Sequence, residues 1–568
     1  MKKNNAFRRA AALIAALSIT VSLAAPAFAD TYYIDYGDIT ITKNEDGSQT
    51  IEQGGDKWTD KAGEETVITT SNTVITTLES DLEGPAAEDS DFGPVVEDNY
   101  QSAQPESTEE SEDADQPEIA EEPKSADRQE SADQQAAPAA APAGSAPVNK
   151  KDDGFWGNTI TVINNIADKV LNLTLKDVKI DVSDTGDQYD WDQKGKAALS
   201  VQGKGNVEIE LDGDNELKSG TQSAGLEKTS TGTLTLKDDN NEAGSLTATG
   251  GFNSAGIGGG YLGDGKNITI TGGTVTATGG SSGAGIGGGR EGKGENITIT
   301  GGTVNATGNE DGAGIGGGSS GSGENITIND GKVTATGGSY AAGIGGGSVG
   351  AWGGDAGSGK NITINGGTVN ATGTDGGAGI GGGENGNGED ITINGGKVNA
   401  SGAYGGAGIG GGVNGIGSKV TVSGAAQVTA TATGSGPDWS GVGTGATIGN
   451  GGSKTPDGPV DGKEIQADIS HLTTGYIHHI IYNPDLDSDG KPDGILKEWW
   501  EFALPKSIPD GESLDLHVET LKGAPLLFNT RQQGSTLRVT TDNLSARLHG
   551  TRQALETLQE QGVEQIQF

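Results

Sequence analysis

The sequence predicts a mainly β protein built on a parallel β-helix, a solenoid of about nine coils. Three observations carry this expectation. Six copies of Ala-Gly-Ile-Gly-Gly-Gly begin at Ala255, Ala284, Ala313, Ala342, Ala378 and Ala407, spaced 29, 29, 29, 36 and 29 residues apart. A fixed period means that one structural unit is repeated. Each unit holds three short runs of period-2 alternation separated by Gly-rich turns, too short and too rich in Gly for an amphipathic helix. With 101 Gly in 568 residues, 4% aromatic residues and no Cys, the chain lacks the composition of one compact globule.

In the unit from Glu295 to Gly318, alternation places Ile297 and Ile299 inward, then Val304 and Ala306, then Ala313 and Ile315. Down the chain, Ile268, Ile297, Ile326, Ile362, Ile391 and Val420 form one column. Val275, Val304, Val333, Val369, Val398 and Val428 form a second, the last displaced by one residue. One coil cannot bury its own apolar face, so stability requires stacked neighbours. Outside, Asn267, Asn296, Asn325 and Asn361, followed by Asp390, align as a side-chain ladder.

Residues 1–29 read as a secretory signal: Lys2, Lys3, Arg8 and Arg9, an apolar run, then Ala27-Phe28-Ala29. No later segment is long and apolar enough to span a membrane. Export without Cys fits a bacterial secreted or surface protein. Residues 30–78 carry strands, either the first coil or cap of the solenoid or a separate small module; the first is favoured. Residues 79–157 form an acidic Pro/Ala-rich disordered linker or insertion. Between 79 and 149 lie twenty acidic residues against Lys124 and Arg128, a net of −18 out of −42. Residues 158–457 are the β-helix. Residues 458–568 form a small α+β module with a helix from Thr551 to Gly562. Between 251 and 450 the net charge is only −6, with no basic cluster to neutralise phosphates, which argues against nucleic acid.

The sharpest local motif is Asp485-Leu-Asp487-Ser-Asp489-Gly490-Lys-Pro-Asp493. Carboxylates at loop positions 1, 3, 5 and 9 with Gly at 6 suit a Ca²⁺ ion, although Leu496 stands where an EF-hand supplies its bidentate Glu. An acidic turn without a metal accounts for the motif equally well. His478 and His479 alternate to opposite strand faces and read as ordinary surface histidines. Catalysis has little support: Arg290 is the one Arg between 251 and 450, it reads as solvated beside Glu291, and the carboxylates look scattered.

Positions that break the repeat are more informative. The 36-residue interval adds seven residues to the loop from Ser348 to Lys360, with Trp352 its one aromatic residue. Tyr340 and Tyr404 precede Ala-Gly-Ile strands two coils apart, and Tyr261 and Trp439 complete the set. Such rings either stack on sugars or fill loop bases.

The segments Ala224-Gly-Leu-Glu-Lys228, Gly232-Thr-Leu-Thr-Leu236 and Gly244-Ser-Leu-Thr-Ala-Thr-Gly250, with the repeated Ala-Gly-Ile-Gly-Gly-Gly, resemble exported bacterial right-handed β-helix proteins with carbohydrate-binding domains. The resemblance covers residues 158–450. It implies a shape related to pectate lyases and, for some members, binding of acidic plant polysaccharides through Ca²⁺. No ligand motif is matched, so no binding residue carries over. The expected function is a secreted, non-catalytic polysaccharide-binding β-helix. The alternatives are a structural or adhesive surface stalk, or a polysaccharide lyase.

Overall fold

The computed structural model describes residues 30–70, 148–190, 192–240, 242–349, 355–434, 441–484, 493–502, 516–533, 535–541, 545–550, 552–560 and 562–568. The expected signal segment and residues 79–147 of the expected acidic linker lie outside them. Residues 148–157 are structured, with Trp156 bridged to Ile180 and buried in the solenoid core, so the linker expectation does not hold to 157.

Each regular coil contributes three strands, as in Gly294–Ile299, Thr303–Thr307 and Ile315–Gly316. Every one pairs in parallel with its counterpart a coil away. The registers reproduce the sequence columns: Ile268, Ile297, Ile326, Ile362, Ile391 and Val420 stack in order. Val398 meets Val428, which absorbs the one-residue displacement. All of these side chains are buried in a single apolar core that runs the length of the stack. The chain is a right-handed parallel β-helix.

The turn before each first strand explains why Asn recurs there. Asn267, Asn296, Asn325 and Asn361 all have φ between 54° and 57°, the left-handed region that Asn tolerates better than most residues. Their side chains also link the coils. The Asn296 amide donates to Asn267 at 3.0 Å, Asn325 to Asn296 at 3.2 Å and Asn361 to Asn325 at 3.1 Å. A second ladder joins Asn329, Asn365, Asn394 and Ser423. Charge at the neighbouring position is mixed: Lys266 meets Glu295 at 3.1 Å, Glu295 stacks on Glu324, and Glu324 is neutralised by Lys293 at 2.9 Å.

Strands without the Ala-Gly-Ile signature lengthen the stack at both ends. Among the described residues, the sheet built by the third strand of each coil has thirteen strands; Ile39–Lys43, Ile160–Asn164 and Leu199–Gly203 begin its parallel run, and Ile448–Gly449 ends it. Asp30–Tyr33 and Thr66–Thr69 pair with each other, and the latter continues onto Val170–Lys176, so residues 30–70 share the solenoid core. An antiparallel hairpin, Gln49–Gln53 with Asp56–Asp60, covers the open edge at Ile39–Lys43. That protects backbone groups which would otherwise recruit another strand.

The solenoid runs past residue 457. Tyr476–Tyr482 extends the second sheet in parallel from Gln427–Thr433, and Ile495–Phe502 closes it in antiparallel fashion. His478 stacks on Trp500 and meets Glu498 at 2.7 Å. His479 is not a surface residue. It is buried against Trp499, with Nδ1 2.6 Å from the Thr447 hydroxyl. Burial, then the neighbouring His478 and Lys497, hold its imidazole down to about 4, so its 3.6 Å approach to Glu501 is not an ion pair. Beyond it, two three-stranded sheets and the helix Arg552–Glu560 surround a separate small core of Val518, Leu537, Val539, Leu558 and Val563.

Glycine is obligatory where coils touch. Gly316 has φ +140°, and a Cβ there would lie inside contact distance of the Gly345 carbonyl oxygen in the next coil. Gly316→Ala is therefore expected to cost ~3 kcal/mol or more. Because each coil contacts only its neighbours, hydrogen exchange should accelerate at Ile286, Ile315 and Ile344 and remain unchanged at Ile39.

Candidate functional site

Two turn positions flank each Ala-Gly-Ile strand: the residue two before the Ala and the residue after the third Gly. They face each other across coils. The backbone N–H of Arg290 donates to the Asn253 carbonyl at 2.9 Å, that of Ser319 to Ser282 at 2.8 Å, that of Ser348 to Asp311 at 2.8 Å and that of Glu384 to Tyr340 at 2.7 Å. The solenoid thereby generates two side-by-side columns, with a step of roughly 4.8 Å between coils.

Gly or Ser fills five of these twelve places, and aromatic or charged side chains fill five others. One column reads Tyr261, Arg290, Ser319, Ser348, Glu384, Val413; the other reads Asn253, Ser282, Asp311, Tyr340, Gly376, Gly405. Asp311 and Glu384 are far apart in sequence but occupy neighbouring rows of this grid. Tyr340 lies one step above Asp311 and directly across from Glu384. Four coils separate Tyr261 from the Tyr340–Glu384 row, roughly 19 Å, with Arg290 and Asp311 between them.

The electrostatics distinguish this cluster from solvated surface charge. Burial raises the Asp311 carboxyl to about 6, and adjacent Glu310 adds to the effect, while the Ser319 hydroxyl and the Arg290 guanidinium pull the other way. Glu384 is also raised, first by burial and then by Asp311. The Tyr340 phenol is raised by burial and by Asp375, Glu384 and Asp311. Arg290 is not a solvated arginine: its side chain is only 15% exposed, and its contact with Glu291 is a loose 3.6 Å. The group offers aromatic faces, a guanidinium and two carboxyls that both donate and accept hydrogen bonds when protonated.

Beside the turn that carries Tyr261 lies a pocket of about 360 Å³, lined in part by Lys228, Gly259, Gly260, Gly263 and Lys266. The Lys228 ammonium is buried and donates to the Ser230 carbonyl at 2.7 Å. Burial alone brings its pKa down to about 8.

The sequence candidates are distributed unevenly over this arrangement. Tyr261 and Tyr340 stand in the columns. Tyr404 stands one place earlier in its coil, where Glu310 and Asp375 also sit, so it does not align with Tyr340. Trp352 and Trp439 lie outside the described residues, as do Asp485, Asp487 and Asp489. Of the candidate Ca²⁺ loop only Asp493 is described; it is exposed, and its carbonyl accepts from the Asn483 side chain at 3.3 Å. Glu498, two residues beyond Leu496 and so a carboxylate near the loop's twelfth position, is engaged by His478 at 2.7 Å. Asp311 and Glu384 were not singled out by the sequence. Aligning the residue after each third Gly would have found Glu384 in register with Arg290.

Six successive segments match a known repeat family. The family model is described as a beta helix repeat, and it matches residues 242–261, 268–290, 297–319, 326–348, 362–384 and 391–413. Each matched segment from the second onward starts at an inward Ile of the first column and ends on a residue of the Arg290–Glu384 column. No curated protein and no solved structure matches the chain. No helix among the described residues is long and apolar enough to cross a membrane.

The Asp311 environment gives a pH test. A raised carboxyl favours the folded chain while protonated, so its contribution is complete below the unfolded value of 3.8 and is lost as pH rises through about 6. The displacement bounds the effect at ~3 kcal/mol, and water at the half-buried carboxyl reduces it to ~1 kcal/mol. Asp311→Asn should thus stabilise the chain by ~1 kcal/mol at about pH 8 and by almost nothing at about pH 4, measured by denaturant unfolding.

Proposed function

We propose that this protein is an exported, non-catalytic β-helix that binds a polysaccharide along the face bearing Tyr261, Arg290, Asp311, Tyr340 and Glu384. The observation that carries the reading is the convergence of aromatic, guanidinium and carboxyl side chains in two columns otherwise filled largely by small residues. Sugar rings present apolar faces and a rim of hydroxyls. Tyrosines match the first, and Arg with half-buried carboxyls match the second. The acidic character of the face, in a chain of net charge −42, favours neutral glycans over anionic ones unless Ca²⁺ bridges them. Calcium at Asp485, Asp487, Asp489 and Asp493 is part of the proposal. The second reading, an adhesive stalk, rests on the long uniform stack of coils.

A glycan array and polysaccharide pull-downs, each with and without EDTA, test this. Retention on one glycan class is expected, weakened about 5- to 10-fold by Tyr340→Ala or Tyr261→Ala, as loss of one stacking ring implies. Retention on no glycan would leave the stalk. Formation of unsaturated products from polygalacturonate, abolished by Arg290→Ala, would instead make the protein a lyase.

A further inference from the structure

The C-terminal module carries a second constellation, unrelated to the glycan face. Strand Leu516–Glu519 pairs antiparallel with Arg547–Gly550, which places His517 directly opposite His549 and Glu519 opposite Arg547. Alternation sends Leu516, Val518 and Leu548 to the module core. The other face therefore presents His517, Glu519 and His549 together. The two imidazoles stack with centroids 4.8 Å apart and planes 5° from parallel. His549 Nε2 lies 2.8 Å from Glu519 Oε1. One ligand atom from each residue lies within 4.8 Å of the other two.

We propose that His517, Glu519 and His549 form a binding site for a divalent transition metal, with Zn²⁺ the best match. Two imidazole nitrogens and one carboxylate oxygen are the ligand set that Zn²⁺, Cu²⁺ and Ni²⁺ prefer, and one that Ca²⁺ and Mg²⁺ do not. Metal–ligand bonds of about 2.0–2.2 Å need the three atoms to converge by an ångström or so. Rotation of exposed side chains on a fixed two-strand platform supplies that movement. Binding replaces the His549–Glu519 hydrogen bond with two metal bonds. Both histidines are exposed, so the fourth coordination position stays open to water, as in sites with three protein ligands. Arg547 shares the face but is exposed, and its charge is screened by solvent.

The test is calorimetric titration of the metal-free full chain with Zn²⁺, repeated with Co²⁺ to read coordination geometry from its visible absorption. One Zn²⁺ per chain with micromolar or tighter affinity is expected, together with a Co²⁺ spectrum of low coordination number. His517→Gln and His549→Gln should each weaken binding at least 10-fold, with unchanged circular dichroism, while His478→Gln should leave it intact. If the His517→Gln/His549→Gln double variant binds as the wild type does, or the wild type binds no Zn²⁺ at millimolar concentration, the proposal fails. Glycan retention is measured separately, so its outcome leaves this result unaffected.

Discussion

Everything in this molecule depends on parallel backbone pairing between identical coils. Each coil is apolar on its inner side and too small to bury that side alone. Stacking converts Ile297 from a half-exposed residue into one link of a buried column with Ile268 and Ile326. At roughly 25 cal/mol per Å² of apolar surface, this burial is the main favourable term. The same pairing fixes the step between coils, which dictates what can occupy every other position. Backbone approaches at the corners admit only Gly, and the turn before the first strand admits Asn because it must adopt positive φ.

A repeat of this kind separates what the sequence makes legible from what it does not. The columns of Ile and Val could be read directly, because alternation and period are one-dimensional properties. Residues 30–70 were harder to place: their strands lack the Ala-Gly-Ile signature, and the partners they need, such as Val170–Lys176, lie beyond a long acidic segment. Composition also misplaced the C-terminal end. Part of the segment from 458, expected as a separate module, belongs to the solenoid: Tyr476–Tyr482 and Ile495–Phe502 close its sheet, with His479 directly opposite Trp499 across the two strands.

The candidate site was the least legible element, for a geometric reason. Its neighbours are related by coil number and by a cross-coil hydrogen bond between two turns, not by distance along the chain. Asp311 and Glu384 look like scattered loop carboxylates until the Ser348 and Glu384 amides are seen to pair with the Asp311 and Tyr340 carbonyls. Arg290 looks solvated until its side chain proves mostly covered and its charge is felt at Asp311. Tyr404 shows the converse. Its loop is equivalent to that of Tyr340, yet a one-residue difference moves it out of the column.

That geometry also bears on how a solenoid can be specific at all. A face of unbroken Thr and Asn rows repeats every step of roughly 4.8 Å, so a linear ligand bound there has many equivalent registers. Such a surface adheres without choosing. A unique register requires side chains that occur once, at defined coil numbers, among neighbours small enough to leave room for a ligand. On the proposed reading Tyr261, Arg290, Asp311, Tyr340 and Glu384 provide those marks, set among small neighbours such as Gly376 and the buried Ser282 and Ser319. The cost of burying two carboxyls and a guanidinium is tolerable because the columns beneath them supply stability coil by coil. The Gly-rich scaffold thus makes a two-dimensional array of addresses, and the recognition proposed above would depend on which few of them are occupied.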